Sequence, residues 1–562
     1  MKNFNIINNS ASRLLDFFSK IFRQLKKNPK FFLNIFFDNV FFVIFIVCLI
    51  FSFWALSIGW NNTILDIHGF RQTQTAISVF YLLKGSSWLA YETPVLGPPW
   101  SIPFEFPLYQ WLIAIIVNFL DTPLDQTGRF VSAFFFYLSL IPSYLILGRL
   151  NVLSQHRWIF LSLFVANPLY LFWSRTFLIE SLAVFLSLAY LGSVTSCFNK
   201  KGLIFMALGT LFGTLAVLVK VTTFFAFLLA AILFIFWNLV NISKNNTNTS
   251  RENYMVVLNL VIPVAVSAVI PYLAIRIWVY FSDSQKLLNP IGMYITSKAI
   301  KSWNFGTLEQ KLSPHVWMRI LGRMLSDIWN YQGQLHYFIA SILFITFLLF
   351  IAFSFGQRKV ITIISGFLFL VPIAIFTNLH FVHNYYQYAN CIFLVSAISF
   401  SILGIAERNE FGKKLSIFLL VFIIVIQIKT FFFKWYPIAN ANQTKLLATT
   451  TAIQKYTKPE DILLIYGLDW SPELPCYSQR RALMDADFAI SEHGKKIALE
   501  HSKKTAIKNL FTYKKTIGAM VFCNQAKIDS QKVINVTGSY DFQSQPTYSD
   551  SLCEIYLPRV NQ

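Results

Sequence analysis

The ionisable residues of this chain lie in short clusters at the edges of long apolar runs. Asp66, His68, Arg71, Gln72 and Gln74 crowd into ILDIHGFRQTQTA at 64–76, and Glu105 sits in FEFP between Pro103 and Pro107. Arg175 and Glu180 stand five residues apart in WSRTFLIE, Lys220 is isolated between two apolar runs, and NLHFVHNYYQYAN carries His380, His383 and Tyr385. A carboxylate within hydrogen-bond reach of a hydroxyl or amine can remove its proton. Cationic side chains can hold a negative charge that develops in a reaction. Each residue also has a plainer role: Asp66 as a helix N-cap, Arg71 as a cation snorkelling to headgroups, Arg175 and Glu180 as markers of a membrane boundary, Lys220 as a turn residue, and His68 as a solvated loop histidine.

Those clusters have to be positioned by apolar elements. The 562 residues are 55% hydrophobic and 13% charged, against roughly 25% charged in soluble chains, so the chain reads as a polytopic α-helical membrane protein. Its formal charge of +21 follows from Lys and Arg in cytoplasmic loops rather than from a nucleic-acid partner. No cleavable leader precedes the first apolar run. A span needs about 20 mostly apolar residues, and candidates occur near 40–59, 128–148, 158–174, 178–197, 202–219, 221–241, 255–280, 337–355, 360–378, 389–405 and 415–434. PLYQWLIAIIVNFL, from Pro107 to Leu120, is too short and reads as an interfacial or re-entrant helix. With that segment excluded there are about eleven spans. The compact basic loops then share a side with Lys20, Arg23, Lys26, Lys27 and Lys30, as the positive-inside rule requires. Every polar cluster named above falls on the opposite face. On this reading 64–76 opens an extracytoplasmic loop on a short surface helix with Phe70, Ile77 and Tyr81 along one side.

An acid just after the first span, a Pro-rich loop ending in FEFPLYQWLIA, and the Arg and acid of WSRTFLIESLAVF together resemble the GT-C membrane glycosyltransferases. Within that class they resemble the bacterial branch that includes the lipid A aminoarabinose transferase and relatives of the protein O-mannosyltransferases. The resemblance covers roughly 40–435 and implies a polyprenyl-phosphate sugar donor whose glycosyl group passes to an extracytoplasmic acceptor: a glycolipid, a glycan or a protein. It also implies inverting single displacement with a carboxylate base, for which Asp66 is the first candidate and Glu180 and Glu105 the others. Arg71, Lys220, Arg175, His380, His383 and Tyr385 are the candidate donor and phosphate contacts. A divalent cation shared by Asp66 and Glu180 stays open. The matching glutamate of the relatives is followed by a lysine, where this chain has Phe106; Lys220, Arg71 or the histidines then have to meet the phosphate.

The organisation expected is a basic cytoplasmic N-terminus at 1–39, a GT-C transmembrane domain at 40–435 with extracytoplasmic loops 60–127 and 281–336, and an extracytoplasmic α/β domain at 436–562. The enzyme is placed in a bacterial inner membrane with its site on the outer face. DILLIYG and IGAMVFC read as strands separated by a helix-compatible stretch, and Arg480 and Arg481 stand as acceptor contacts or as solvated arginines. Cys523 and Cys553 are either a disulfide or buried thiols. The alternative function is a multi-pass transporter or flippase of a lipid-linked sugar, but such folds show internal repeats and mid-membrane charges, whereas the polar residues here gather at one face.

Overall fold

A computed structural model describes residues 39–197, 202–245, 250–329, 356–487, 496–512, 516–524 and 541–559. Helix α1 (Val40–Ser57) is a run of Phe, Ile and Val that helix propensity alone would not favour. In hydrocarbon a helix satisfies every backbone group internally, and the outward side chains Val47, Ile50 and Phe53 remain exposed for lipid. Among the described residues seven helical stretches are long and apolar enough to cross a membrane. The expected span at 337–355 lies outside the described residues.

After α1 come α2 (Gly69–Leu83), α3 (Leu108–Leu120), α4 (Leu124–Leu138), α5 (Leu140–Arg149), α6 (Ser154–Ala166), α7 (Pro168–Trp173), α8 (Glu180–Val194) and α9 (Gly202–Asn245). The expected surface helix is corrected here: α2 buries Ile77, Tyr81 and most of its polar residues, including Gln72, Thr73 and Gln74. The run at 158–174 breaks between α6 and α7, where Asn167 caps Leu169 and Pro168 opens the second helix. Helix α9 departs from helical geometry at Lys220. Gly209 packs against Val194 at the far end of α8, and Thr195 lines one cavity with Phe234 and Trp237. A straight helix would hold residues 209 and 234 about 37 Å apart, so α9 doubles back at Lys220 and both halves run along α8. Further along the chain come α10 (Ser250–Leu287), α11 (Pro314–Trp329), α12 (Gly356–Ile375), α13 (Thr377–Val382), α14 (Gln387–Ala406) and α15 (Glu410–Thr430), which continues into a π-helical turn at Phe431–Trp435.

The tail carries β1 (Ile462–Tyr466), β2 (Arg481–Met484), β3 (Ile517–Cys523), β4 (Tyr548–Ser549) and β5 (Cys553–Tyr556), in the order β2-β1-β3-β5-β4. β1 pairs in parallel with β2 and β3, while β5 runs antiparallel to β3 and is joined to it by the Cys523–Cys553 disulfide. The open edge of β2 is taken by the Pro-rich loop: Ala482 N–H donates to Pro94 O at 2.9 Å and Met484 N–H to Val95 O at 3.1 Å. Val95, Leu96 and Ile102 join Ile291, Tyr294 and Ile295 in one apolar core with the strands. The sheet therefore shares its core with two loops of the membrane part. Arg480 and Arg481 are spent on this packing rather than left in solvent. Arg480 donates to the carbonyls of Thr457 and Ser478, and Arg481 pairs with Glu92 at 2.8 Å.

Candidate active site

Arg129, fully buried on α4, donates to the carbonyls of Asn62, Thr63 and Arg175. One guanidinium thereby ties the segment leading to Asp66 to the loop after α7. The Gln72 side chain donates to Asp66 Oδ1 and accepts the Phe177 N–H at 2.9 Å. Arg175 Nη1 stands 3.6 Å from Asp66 Oδ2. Burial and the nearby Arg129 push the Arg175 guanidinium down to about 10, which leaves it charged at neutral pH. Asp66 makes no side-chain cap; His68 occupies the N-cap position of α2 in the left-handed region, with φ 58°.

A second group lies on the other side of α2. Arg71 pairs with Glu105 and also donates to Gln74. Lys220 Nζ meets Glu180 Oε1 at 2.5 Å and stands 4.1 Å from the centre of the Tyr386 ring and 5.2 Å from that of Tyr385. Arg71, Glu105, Lys220 and Glu180 lie within electrostatic reach of one another. The Phe106 N–H donates to Leu218 O at 3.1 Å, which draws the Lys220 reversal against FEFP. Phe106 itself packs on Trp111 and Trp278. The contact with Leu218 places the Lys220 reversal beside Phe106 and Glu105.

The third group joins α2 to the connection between α12 and α14. His68 stacks edge-on against His383 and Tyr385, with ring centres 5.1 and 5.0 Å apart. His380 is buried beside Asn390. His68 is half-buried and bonded to Asn384, so its reading as a solvated loop histidine is corrected. The structure brings Asp66, Glu105, Glu180, Arg71, Arg175, Lys220, His380, His383 and Tyr385 into one neighbourhood. Sequence reasoning did not single out Arg129, Asn384, Asp327 or Lys434. The buried Asp327 pairs with the partly exposed Lys434 at 2.6 Å, and a lone lysine inside FFFKW was the available signal. Asp66 and Glu180 are each engaged by a separate cation, and among the described residues no group of three or more metal-ligating side chains occurs.

The histidines carry a pH signature. Burial, with Lys220 and Arg323 near His380 and with His68 and Arg71 near His383, lowers both imidazoles to about 3. The unfolded chain binds these protons near 6.5 while the folded chain does not, so stability falls as pH drops from about 6.5 toward 3. The slope is about 1.4 kcal/mol per pH unit for each histidine. Thermal unfolding in detergent is expected to show a lower Tm at pH 5.5 than at 7.5, with a smaller drop in His380→Gln; a Tm independent of pH in both proteins would contradict the buried neutral histidines.

No protein-family model and no curated protein sequence matches the chain, but its architecture matches solved structures. ArnT from Cupriavidus metallidurans bound to undecaprenyl phosphate aligns over 92% of this chain and 98% of its own, with a TM-score of 0.55 and 11% identity. The apo state of the same ArnT aligns with a TM-score of 0.51 at 11% identity over 94% of this chain and 98% of its own. The archaeal oligosaccharyltransferase AglB from Archaeoglobus fulgidus, in complex with an inhibitory peptide and a dolichol phosphate, aligns over 92% of this chain and 74% of its own, with a TM-score of 0.52 and 9% identity. The fold is the GT-C fold. The chain is accordingly a multi-pass membrane protein, and its polar cluster sits within a fold shared with ArnT bound to undecaprenyl phosphate and AglB in complex with a dolichol phosphate.

Proposed function

We propose that this protein is a membrane glycosyltransferase that moves a sugar from a polyprenyl-phosphate donor to an acceptor outside a bacterial cytoplasmic membrane. The observation that carries this reading is the convergence of Asp66, Glu105 and Glu180 with Arg71, Arg175 and Lys220 on a GT-C fold. Support for the donor class comes from ArnT bound to undecaprenyl phosphate and AglB bound to dolichol phosphate. In this reading Lys220 and Arg71 meet the donor phosphate, exchanging their carboxylate partners for the stronger charge of the ligand. Arg175, His380, His383 and Tyr385 complete the donor side. Asp66 is the carboxylate of the acceptor side. Its charge orients the attacking hydroxyl or amine and balances the positive charge that grows on the sugar as phosphate departs. Attack opposite the phosphate forms the new anomeric bond in one displacement, with inversion. The phosphate leaves as a stabilised anion and needs no acid.

The reading requires about eleven spans with the N-terminus inside, because only that arrangement puts the compact basic loops in the cytoplasm and the site outside. Cysteines introduced at Gly85, Ser154 and Lys413 should divide accordingly: an impermeant thiol reagent applied to intact cells labels position 85 and spares 154 and 413. Labelling of 154 from outside would refute this topology.

Donor binding is tested by unfolding the purified protein in detergent with undecaprenyl phosphate. A ligand at a hundred times its Kd stabilises the folded state by about 2.7 kcal/mol, so the lipid should raise Tm and a polyprenol lacking the phosphate should not. Equal shifts from both lipids would remove phosphate recognition from the proposal.

A further inference from the structure

His68 has a tautomer that its neighbours dictate. The Asp327 carboxylate is buried and meets the Lys434 ammonium at 2.6 Å, and it also accepts from Asn384 Nδ2 at 3.1 Å. An ionised carboxylate only accepts, so Asn384 must turn its NH₂ toward Asp327 and its carbonyl oxygen the other way. That oxygen lies 3.0 Å from His68 Nε2. A carbonyl oxygen also only accepts, so His68 Nε2 carries the hydrogen. In a neutral imidazole the second nitrogen is then the acceptor. Among the described residues no hydrogen bond to His68 Nδ1 occurs, and the residue is only half-buried. The groups around the ring are Asp66, Arg323, Asp327, His383, Tyr385 and Trp173. Burial, the largest influence, holds the imidazole below its ordinary 6.5, so it is neutral at pH 7.

The backbone gives a second, independent observation. His68 is held at φ 58° and ψ 38°, a left-handed conformation in which glycine is the unstrained choice. A histidine kept where glycine would be easier is the kind of local cost that clusters at functional positions. Asp66, two residues earlier, has Oδ1 held by Gln72 and Oδ2 facing Arg175.

We propose that His68 Nδ1 accepts the proton of the attacking acceptor group, with Asn384 and Asp327 as positioning residues that fix the imidazole tautomer. This rests on the glycosyl transfer proposed above and names the group that completes it. The acceptor oxygen or nitrogen forms its bond to the anomeric carbon, and the bond from that carbon to the phosphate oxygen breaks with its electron pair going to the phosphate. The acceptor's proton passes to Nδ1 and then to solvent. Asp66 keeps its role as the fixed negative charge beside the reaction.

The test begins with the intact enzyme and whichever undecaprenyl-phosphate pentose, hexose or amino sugar it transfers; an intact enzyme that transfers none refutes the glycosyltransferase reading itself. His68→Gly is the informative variant, because glycine suits the backbone and leaves room for free imidazole. Its turnover should fall by about a hundredfold to ten-thousandfold with donor KM little changed. Added imidazole should restore activity in proportion to its unprotonated fraction. The intact enzyme should lose kcat on an acid limb below pH 6.5 that is absent from His68→Gln, and Asp327→Asn should lower kcat without removing that limb. Undiminished turnover in His68→Gly, or a loss that imidazole does not repair together with an acid limb surviving in His68→Gln, would overturn the assignment.

Discussion

Asp66→Asn is expected to leave a folded protein that binds undecaprenyl phosphate and turns over at least about a hundredfold more slowly. The amide can still accept from Gln72, so the clamp to the Phe177 backbone persists. What disappears is the negative charge facing Arg175 and the reacting sugar. Some stability should go with it, about 1 to 3 kcal/mol, because the buried guanidinium loses a charged neighbour. Measuring sugar transfer and detergent unfolding on the same preparation separates the two effects. Full turnover in this variant would remove Asp66 from the mechanism and leave Glu180 or Glu105 as the acid to examine.

Lys220→Ala should be the most damaging single change to the fold of the site. It strands the Glu180 carboxylate in the interior, where the second oxygen already lacks a partner. Breaking a buried pair from one side costs about 3 to 5 kcal/mol. The paired change Lys220→Met with Glu180→Gln removes both charges together and should recover most of that stability. Donor use should nevertheless stay impaired by about tenfold to a hundredfold, the worth of a charge-assisted phosphate contact. A double variant with normal donor saturation would return Lys220 to a purely structural role at the reversal of α9.

Apolar run length marked the long helices such as α1 and α14, because hydrocarbon imposes one backbone solution, and the isolated Lys220 marked the reversal of α9; the run at 158–174 did not announce its break at Asn167–Pro168. The strands Ile462–Tyr466 and Ile517–Cys523 were equally plain as short apolar runs between polar stretches. The residues of the site were legible as types gathered on one predicted face. Their pairing was not. Nothing in the local sequence says that Arg71 meets Glu105 rather than Asp66, because α2 turns Arg71 away from Asp66 and only the tertiary course of FEFP brings Glu105 to it. The role of His68 was hidden for the same reason: its partners Asn384 and Asp327 are more than 250 residues away in sequence. The edge pairing of Pro94 and Val95 with β2 was likewise invisible, since a Pro-rich stretch reads as loop and gives no strand period.

The central claim is that this polar cluster transfers a sugar from a polyprenyl phosphate. It is tested most directly by incubating the purified protein in detergent with undecaprenyl-phosphate sugars labelled in the glycosyl group, together with glycolipid, glycan and protein acceptors, and following the label. The account predicts that undecaprenyl phosphate is released in step with label appearing on an acceptor, in a single compartment, and that Asp66→Asn slows both by at least about a hundredfold. Intact donor after prolonged incubation with the folded protein, with label moved only across a sealed vesicle membrane, would contradict it and establish a transporter instead.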